Sequence, residues 1–462
     1  MAANLQKTPL LLRKDVLLVK PAKPTPSDVL SFSTIDNDLN LELLCQTLYV
    51  YQSNASNCVV KPDPALVLKD ALCRVLVDYY PLAGKLKRKE DGKLEITCTA
   101  DGVPFLEVTA NCELSSLRYF DGIDVETAKL FVFDWPAEGS IGYHPLVLQV
   151  TKFACGGFTV GMGLSHSVCD GLGAAQFFRA MAELASGKSE PTVKPVWERE
   201  RLVGTVNQGP VRLPIDKGSL ATSPFLPTTD LLHGCVNVHA DSIKRLKTTL
   251  QREVGNEVPN ESCSFTTLEI LGAYVWRSRF RALKQNSNGK TAFCLAMGIR
   301  HLLNPPLPAG YYGNAFQSAN AVLTGRDLNE WPLSRVAKMI KESKKVASDT
   351  NYIWSSINIL ETLRHHKMKI ETGGECTVLT DWRNLGLFEE VDFGWKASAN
   401  VIPLPWNMFG YVGLCIFLPP CRMDSAMKGG VRVLVTLPRA AMPKFKEEMD
   451  ALNVGVVNSQ RV

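Results

Sequence analysis

No two of the thirteen cysteines in this 462-residue chain form a C-x-x-C pair, and the closest two, Cys415 and Cys421, have no histidine or cysteine neighbours at zinc-site spacing. The common structural-zinc and dithiol-redox arrangements are thereby excluded. An odd number of scattered thiols is expected to stay reduced, mostly as small core residues of a cytoplasmic protein. Long apolar runs are missing too. Nothing approaches the ~20 residues of a membrane span, and Met1 to Asp15 lacks an apolar core of signal-peptide length. No membrane partner is expected, and the sequons at Asn54 and Asn260 should stay unmodified. Dense basic runs are the third absence. Lys and Arg number 51 against 46 Asp and Glu, a net charge of +5, but they are spread along the chain without the aromatic interleaving of a nucleic-acid groove. Such a mild excess suits a phosphorylated ligand. With 45% hydrophobic and 21% charged residues, disorder is excluded and two or three globular domains are expected.

What the chain does carry is centred on Gly156 to Gly171. After a Gly-Gly turn, Phe158-Thr159-Val160-Gly161-Met162-Gly163-Leu164-Ser165 reads as a buried strand. It delivers His166 and, four residues on, Asp170 followed by Gly171 and Gly173. Apolar residues at helical spacing then run from Ala174 to Leu184 and stop at Gly187. His166 thus lies in a strand-to-helix crossing. By itself H-x-x-x-D has two readings: a satisfied core histidine beside a helix cap, or a catalytic base.

Upstream, Val16 to Val19 reads as a short strand before Pro21, Pro24 and Pro26, and Leu44 to Tyr51 as a longer one. Pro62-Asp63-Pro64 opens a helix with the stripe Val67, Leu68, Ala71, Leu72, Val75, Leu76 and Tyr79. Leu94 to Thr99, Phe105 to Thr109 and Leu146 to Thr151 are further strand candidates. From Ser186 to Leu226 regularity fails and prolines recur. This divides the chain into a domain over 1–190, a crossover over 191–230 and a second domain over 231–462. The second half opens with a strand, Gly234 to Val238, and a basic helix holding Lys244 and Lys247, whose ordinary reading is a solvated face. A capped helix starts at Ser264 to Glu269, and Val431 to Leu437 and Met442 to Leu452 close the chain as strand and helix.

Far from His166 stands Asp392-Phe393-Gly394-Trp395-Lys396. H-x-x-x-D-G in mid-chain with D-F-G-W near the C-terminus resembles the plant BAHD acyl-CoA-dependent acyltransferases. Collinear segments extend the resemblance from about residue 16 to 452: Ser33 to Asp36, Tyr80 to Lys85, Pro195 to Arg199 and Pro305 to Asn314. The family's arginine is replaced by Lys85, and its fifth-position glycine by Lys396. A D-F-G-W-K ending looks like the piperamide-forming branch, similar to piperine synthase.

The resemblance implies two similar α/β domains, each a mixed sheet with helices, in the manner of chloramphenicol acetyltransferase, with a channel between them. It also implies His166 as general base, Thr380 and Trp382 as oxyanion donors, and a structural set of Asp170, Gly171, Arg300, Asp392, Phe393, Gly394 and Trp395, with Arg300 partnering Asp392. Coenzyme A would be met near Lys244, Lys247 and Ser264. Because a thioester is already activated, a base, positioning and oxyanion donors suffice, with acyl-CoA as co-substrate and no metal or other cofactor. The acceptor is expected to be a small amine, piperidine with a piperoyl-like donor being the favoured pair; esters of benzyl or aliphatic alcohols are the alternative. A monomer is expected. A non-catalytic family member and a carrier-protein condensation domain are the competing readings; intact His166, Thr380 and Trp382 oppose the first, and the absence of a carrier segment opposes the second.

Overall fold

The computed structural model describes residues 9–53, 62–122, 124–207, 217–257, 264–368, 374–388, 393, 395, 398–404 and 413–454. Two mixed sheets dominate. In the first, among the described residues, seven strands pair, with the order Leu11–Arg13, Val103–Ala110, Leu146–Phe153, Phe158–Ser165, Leu44–Tyr51, Asn400–Leu404, and Leu17–Val19 also on Val103–Ala110. Only Val103–Ala110 and Leu146–Phe153 run parallel. The sequence expects Leu44–Tyr51 as a strand and the structure has it there, paired on both sides and buried over its last six residues.

The second sheet has six strands in the order Leu231–Val238, Val431–Pro438, Leu414–Leu418, Cys376–Asp381, Lys290–Gly298, Phe316–Thr324. Its middle is parallel and its flanks antiparallel. Helices Ala240–Glu257, Thr267–Ala282, Leu333–Ala347 and Met442–Asn453 cover one face and form one core with it. Thr266 caps the second of these by a reciprocal capping box with Glu269. On the first sheet, helices Pro64–Val75 and Gly171–Ala185 lie against each other, their apolar stripes turned inward.

The chain halves do not each keep to one sheet. Asn400–Leu404, from the second half, pairs along Gln46–Val50 of the first, with Val401 opposite Tyr49. Phe393 and Trp395 arrive just ahead of it and are buried in the first core: Phe393 meets Tyr51 and Phe178 edge-on at 5.8 and 5.3 Å, and Trp395 meets Phe158 at 5.0 Å. A third apolar cluster, including Ile35, Leu202, Ile299, Tyr311 and Ile357, ties the early loop, the crossover and the second half together. The crossover is therefore anchored: Val196 bridges Tyr311, and Arg199 is only 1% exposed. Among the described residues no helix is long and apolar enough to cross a membrane.

Candidate active site

His166 follows directly on Phe158–Ser165. Its backbone N–H donates to Leu43 O at 2.9 Å and its carbonyl accepts from Asn314 Nδ2 at 2.7 Å, so the peptide is held from both halves of the chain. The ring is half-buried and edge-on to Phe316, centroids 6.0 Å apart. Burial pushes its pKa below the usual 6.5, because charging an imidazole in a poorly solvated site is unfavourable, while Asp170, Asn314 and Asp36 pull more weakly the other way. A neutral ring is what a proton acceptor requires.

Asp170 caps helix Gly171–Ala185 through the Gly173 N–H at 3.0 Å. Its second oxygen accepts the Ala315 N–H at 3.1 Å, and Arg300 holds both oxygens, Nη1 on Oδ2 at 2.7 Å and Nη2 on Oδ1 at 2.8 Å. Burial alone would raise this carboxyl; the guanidinium and the two N–H groups hold it below the ordinary carboxylate value instead. The expected pairing of Arg300 with Asp392 falls outside the described residues, and what the structure shows is Arg300 on Asp170. Asp170 takes the bidentate face, and Nε and Nη2 also donate to Tyr311 O and Gly313 O at 3.3 and 2.7 Å. Asp392, Gly394 and Lys396 lie outside the described residues. Gly173 is required by close approach, since a Cβ there would stand 2.0 Å from Tyr312 O.

A second brace, which the sequence does not disclose, sits beside the first. Asp36 is fully buried and faces Arg199 Nη1, with oxygens at 3.4 and 3.3 Å, while Arg199 Nη2 donates to Val168 O at 2.8 Å. The guanidinium lies against the rings of Trp197, Tyr312 and Tyr311 at 4.3, 4.9 and 5.2 Å. It passes where a side chain on Gly313 would be, because a Cβ there would fall 1.4 Å from Nη1. Asn314 then joins the two braces: its N–H and Nδ2 reach Asp36 Oδ1 at 3.1 and 2.8 Å, and Nδ2 also holds the His166 carbonyl. The segments Ser33–Asp36, Pro195–Arg199 and Pro305–Asn314, quoted separately from the sequence, meet at one place.

Between the sheets lies a cavity of about 460 Å³. Cys45, Thr47, Met162, Leu164 and His166 line it from the first sheet, and Ala292, Cys294, Ala296, Val378 and Thr380 from the second, with Trp382 just beyond that strand. It therefore brings together His166, Thr380 and Trp382, and also Asp170, Gly171 and Arg300. Lys244, Lys247 and Ser264 do not line it; both lysines lie on helix Ala240–Glu257, and the Ser264 carbonyl accepts from Lys341 Nζ at 2.8 Å. Sequence reasoning also missed Asp38, Glu375 and Asp381 on the wall. Among the described residues no group of three or more His, Cys, Asp or Glu could hold a metal ion.

His166, Thr380 and Trp382 thus line one cavity between two mixed sheets. The profile described as "Transferase family" matches residues 13–452, and the chain belongs to this family, the BAHD acyltransferases. It is 46% identical to spermidine coumaroyl-CoA acyltransferase of Arabidopsis thaliana over 449 residues, 96% of this chain and 95% of the relative. With spermidine sinapoyl-CoA acyltransferase of the same plant it shares 43% over 454 residues, 96% and 98% of the two chains. The fold is that of vinorine synthase, with a TM-score of 0.74 at 21% identity over 96% of this chain and 98% of that one. The protein is an acyltransferase with acyl-CoA as co-substrate.

Proposed function

We propose that the chain transfers an acyl group from coenzyme A to an amine nitrogen, with His166 as general base. The acceptor amine arrives neutral and adds to the thioester carbonyl while His166 takes its proton; the tetrahedral oxyanion accepts from the Thr380 hydroxyl and the Trp382 indole. Collapse breaks the C–S bond, and the coenzyme A thiolate leaves with the proton from His166. Asp170, paired to Arg300, keeps the turn in place and takes no proton. Lys244, Lys247 and Ser264 are assigned to the coenzyme A end, outside the described cavity. The observation that carries this reading is the single cavity holding His166 on one wall and Thr380 and Trp382 on the other.

Nitrogen over oxygen is supported by the two spermidine acyltransferases, which match nearly the whole chain. The cyclic-amine form of the reading, piperidine with a piperoyl-like donor, is supported by the D-F-G-W-K ending alone. The enzyme is proposed to work as a cytoplasmic monomer. A matrix of acetyl, benzoyl, cinnamoyl, coumaroyl and piperoyl thioesters against piperidine, spermidine and benzyl alcohol, with products identified by mass, tests it. Amides from an amine column are expected; esters alone would overturn the reading.

A further inference from the structure

We propose that Ser318 and Asn320 form a polar subsite that selects the acyl donor, by binding a hydroxyl at the para position of an arylpropenoyl thioester. This rests on the reading above only in placing the thioester carbonyl at Thr380, and it holds whichever nucleophile takes the acyl group.

The register of the second sheet sets the residues in two rows. Strand Lys290–Gly298 lies between Cys376–Asp381 and Phe316–Thr324. Cys294 stands opposite Val378 on one side and Asn320 on the other, which gives the row Val378, Cys294, Asn320. Leu295 pairs with Leu379, so Ala296 comes next to Thr380, and Ala296 stands opposite Ser318. The other row is thus Thr380, Ala296, Ser318. All six line the cavity and therefore share one face of the sheet. Gly298 opposite Phe316, the ring that meets the imidazole, bounds that face at the His166 end.

A methyl and a thiol between two outer strands make a low, apolar floor on which a flat ring can lie, and Met162 and Leu164 line the cavity from the facing sheet. Distance then selects the ligand. At about 4.8 Å between strands and about 3.3 Å per residue, Ser318 stands about 10 Å from Thr380 and Asn320 about 12 Å. A 4-hydroxycinnamoyl group spans roughly 8 Å from carbonyl carbon to ring oxygen by ordinary bond lengths. A hydrogen bond of about 2.8 Å at each end makes up the difference. A cinnamoyl group, without the ring oxygen, stops short of the polar edge.

The hydrogen bonds at that edge fix what it can bind. The Ser318 hydroxyl is exposed on this face and donates to Asn320 Oδ1 at 2.7 Å, which leaves its oxygen as an acceptor. The Cys294 thiol beside Ser318 engages at most one of the two acceptor sites of that oxygen. Asn320 is steadied from behind: Nδ2 donates to Ser318 O and to Tyr352 Oη, both at 3.4 Å, and Tyr352 Oη donates to Ser318 O at 3.4 Å. A phenol O–H donating to Ser318 Oγ runs on into the Ser318–Asn320 bond, and each bond polarises the other. A methoxy or methylenedioxy oxygen has no proton to give Ser318, so the piperoyl ring fits this edge less well than a phenol.

The test is kcat/KM for 4-hydroxycinnamoyl, cinnamoyl and 4-methoxycinnamoyl coenzyme A thioesters with the wild type, Ser318→Ala, Asn320→Leu and Thr380→Ala, each with spermidine and with benzyl alcohol as acceptor. With whichever acceptor turns over, the wild type should prefer the hydroxylated donor to the other two by about tenfold or more. Ser318→Ala should lose about tenfold on the hydroxylated donor and keep the cinnamoyl value within about twofold of wild type. The retained cinnamoyl turnover shows that the variant is folded. Asn320→Leu should reduce the same preference. Thr380→Ala should lower kcat on all three donors by a similar factor. A wild type without the preference, or a Ser318→Ala variant that loses equally on all donors or only in KM for the acceptor, would overturn the subsite and leave acyl transfer standing. An unchanged kcat in Thr380→Ala would overturn the placing of the carbonyl, and the subsite with it.

Discussion

Arg300 grips both carboxylate oxygens of Asp170, a residue 130 positions earlier in the chain, at 2.7 and 2.8 Å. This pair fixes the turn after His166 against the second half of the molecule and leaves Asp170 no free edge to offer the imidazole. Breaking one side of a buried, hydrogen-bonded pair costs about 3 to 5 kcal/mol, because the other charge is stranded. Asp170→Asn should therefore lower unfolding free energy by about that amount in urea titrations, while turnover per folded molecule falls less than tenfold. A variant of wild-type stability without activity would move Asp170 into the chemistry.

The same pair gives the acid stability a sign. The folded Asp170 carboxyl titrates below its ordinary value of 3.8. Its contribution is therefore full above that value and is lost as pH falls through the folded pKa. Wild type should lose stability steeply below about pH 4, and Asp170→Asn should show a shallower acid limb in melting curves taken from pH 6 to pH 2.

Gly313 gives the second brace a direct probe. A methyl there would occupy the place of Arg199 Nη1. Gly313→Ala should destabilise by at least the roughly 1 to 3 kcal/mol of an overpacked core, and calorimetry should show a lower Tm. An unchanged Tm would mean that Arg199 has another seat.

Catalysis should carry the signature of a buried imidazole. Since burial lowers the pKa of His166, the acid limb of kcat/KM, measured with an alcohol or a weakly basic aniline as acceptor, should break below pH 6.5, with a plateau above it. A break above that value would contradict the neutral, desolvated base.

Much of this was legible because it is local. The small, apolar run from Phe158 to Ser165, His166 after it and the glycines that open the next helix specify strand, turn and cap within sixteen residues. Phe393 and Trp395 reveal themselves as buried anchors by residue type. Pairings across the chain left no local trace: Asp36 and Arg199 are 163 residues apart, and neither segment names the other. The cavity strands Lys290–Gly298 and Phe316–Thr324 hide for another reason. Their inner faces carry Ala, Cys, Ser and Asn, which suit a ligand and lack the β-branched residues by which strands are recognised.

The central claim is that His166 removes the acceptor's proton. Turnover by purified His166→Ala, followed as amide formed by mass and as coenzyme A released, tests it most directly. The variant should melt near the wild-type temperature, still bind acyl-CoA, and lose on the order of 10² to 10⁴ in kcat. More than about a tenth of wild-type turnover in the folded variant would contradict the account, because so small a loss is below what general-base catalysis supplies.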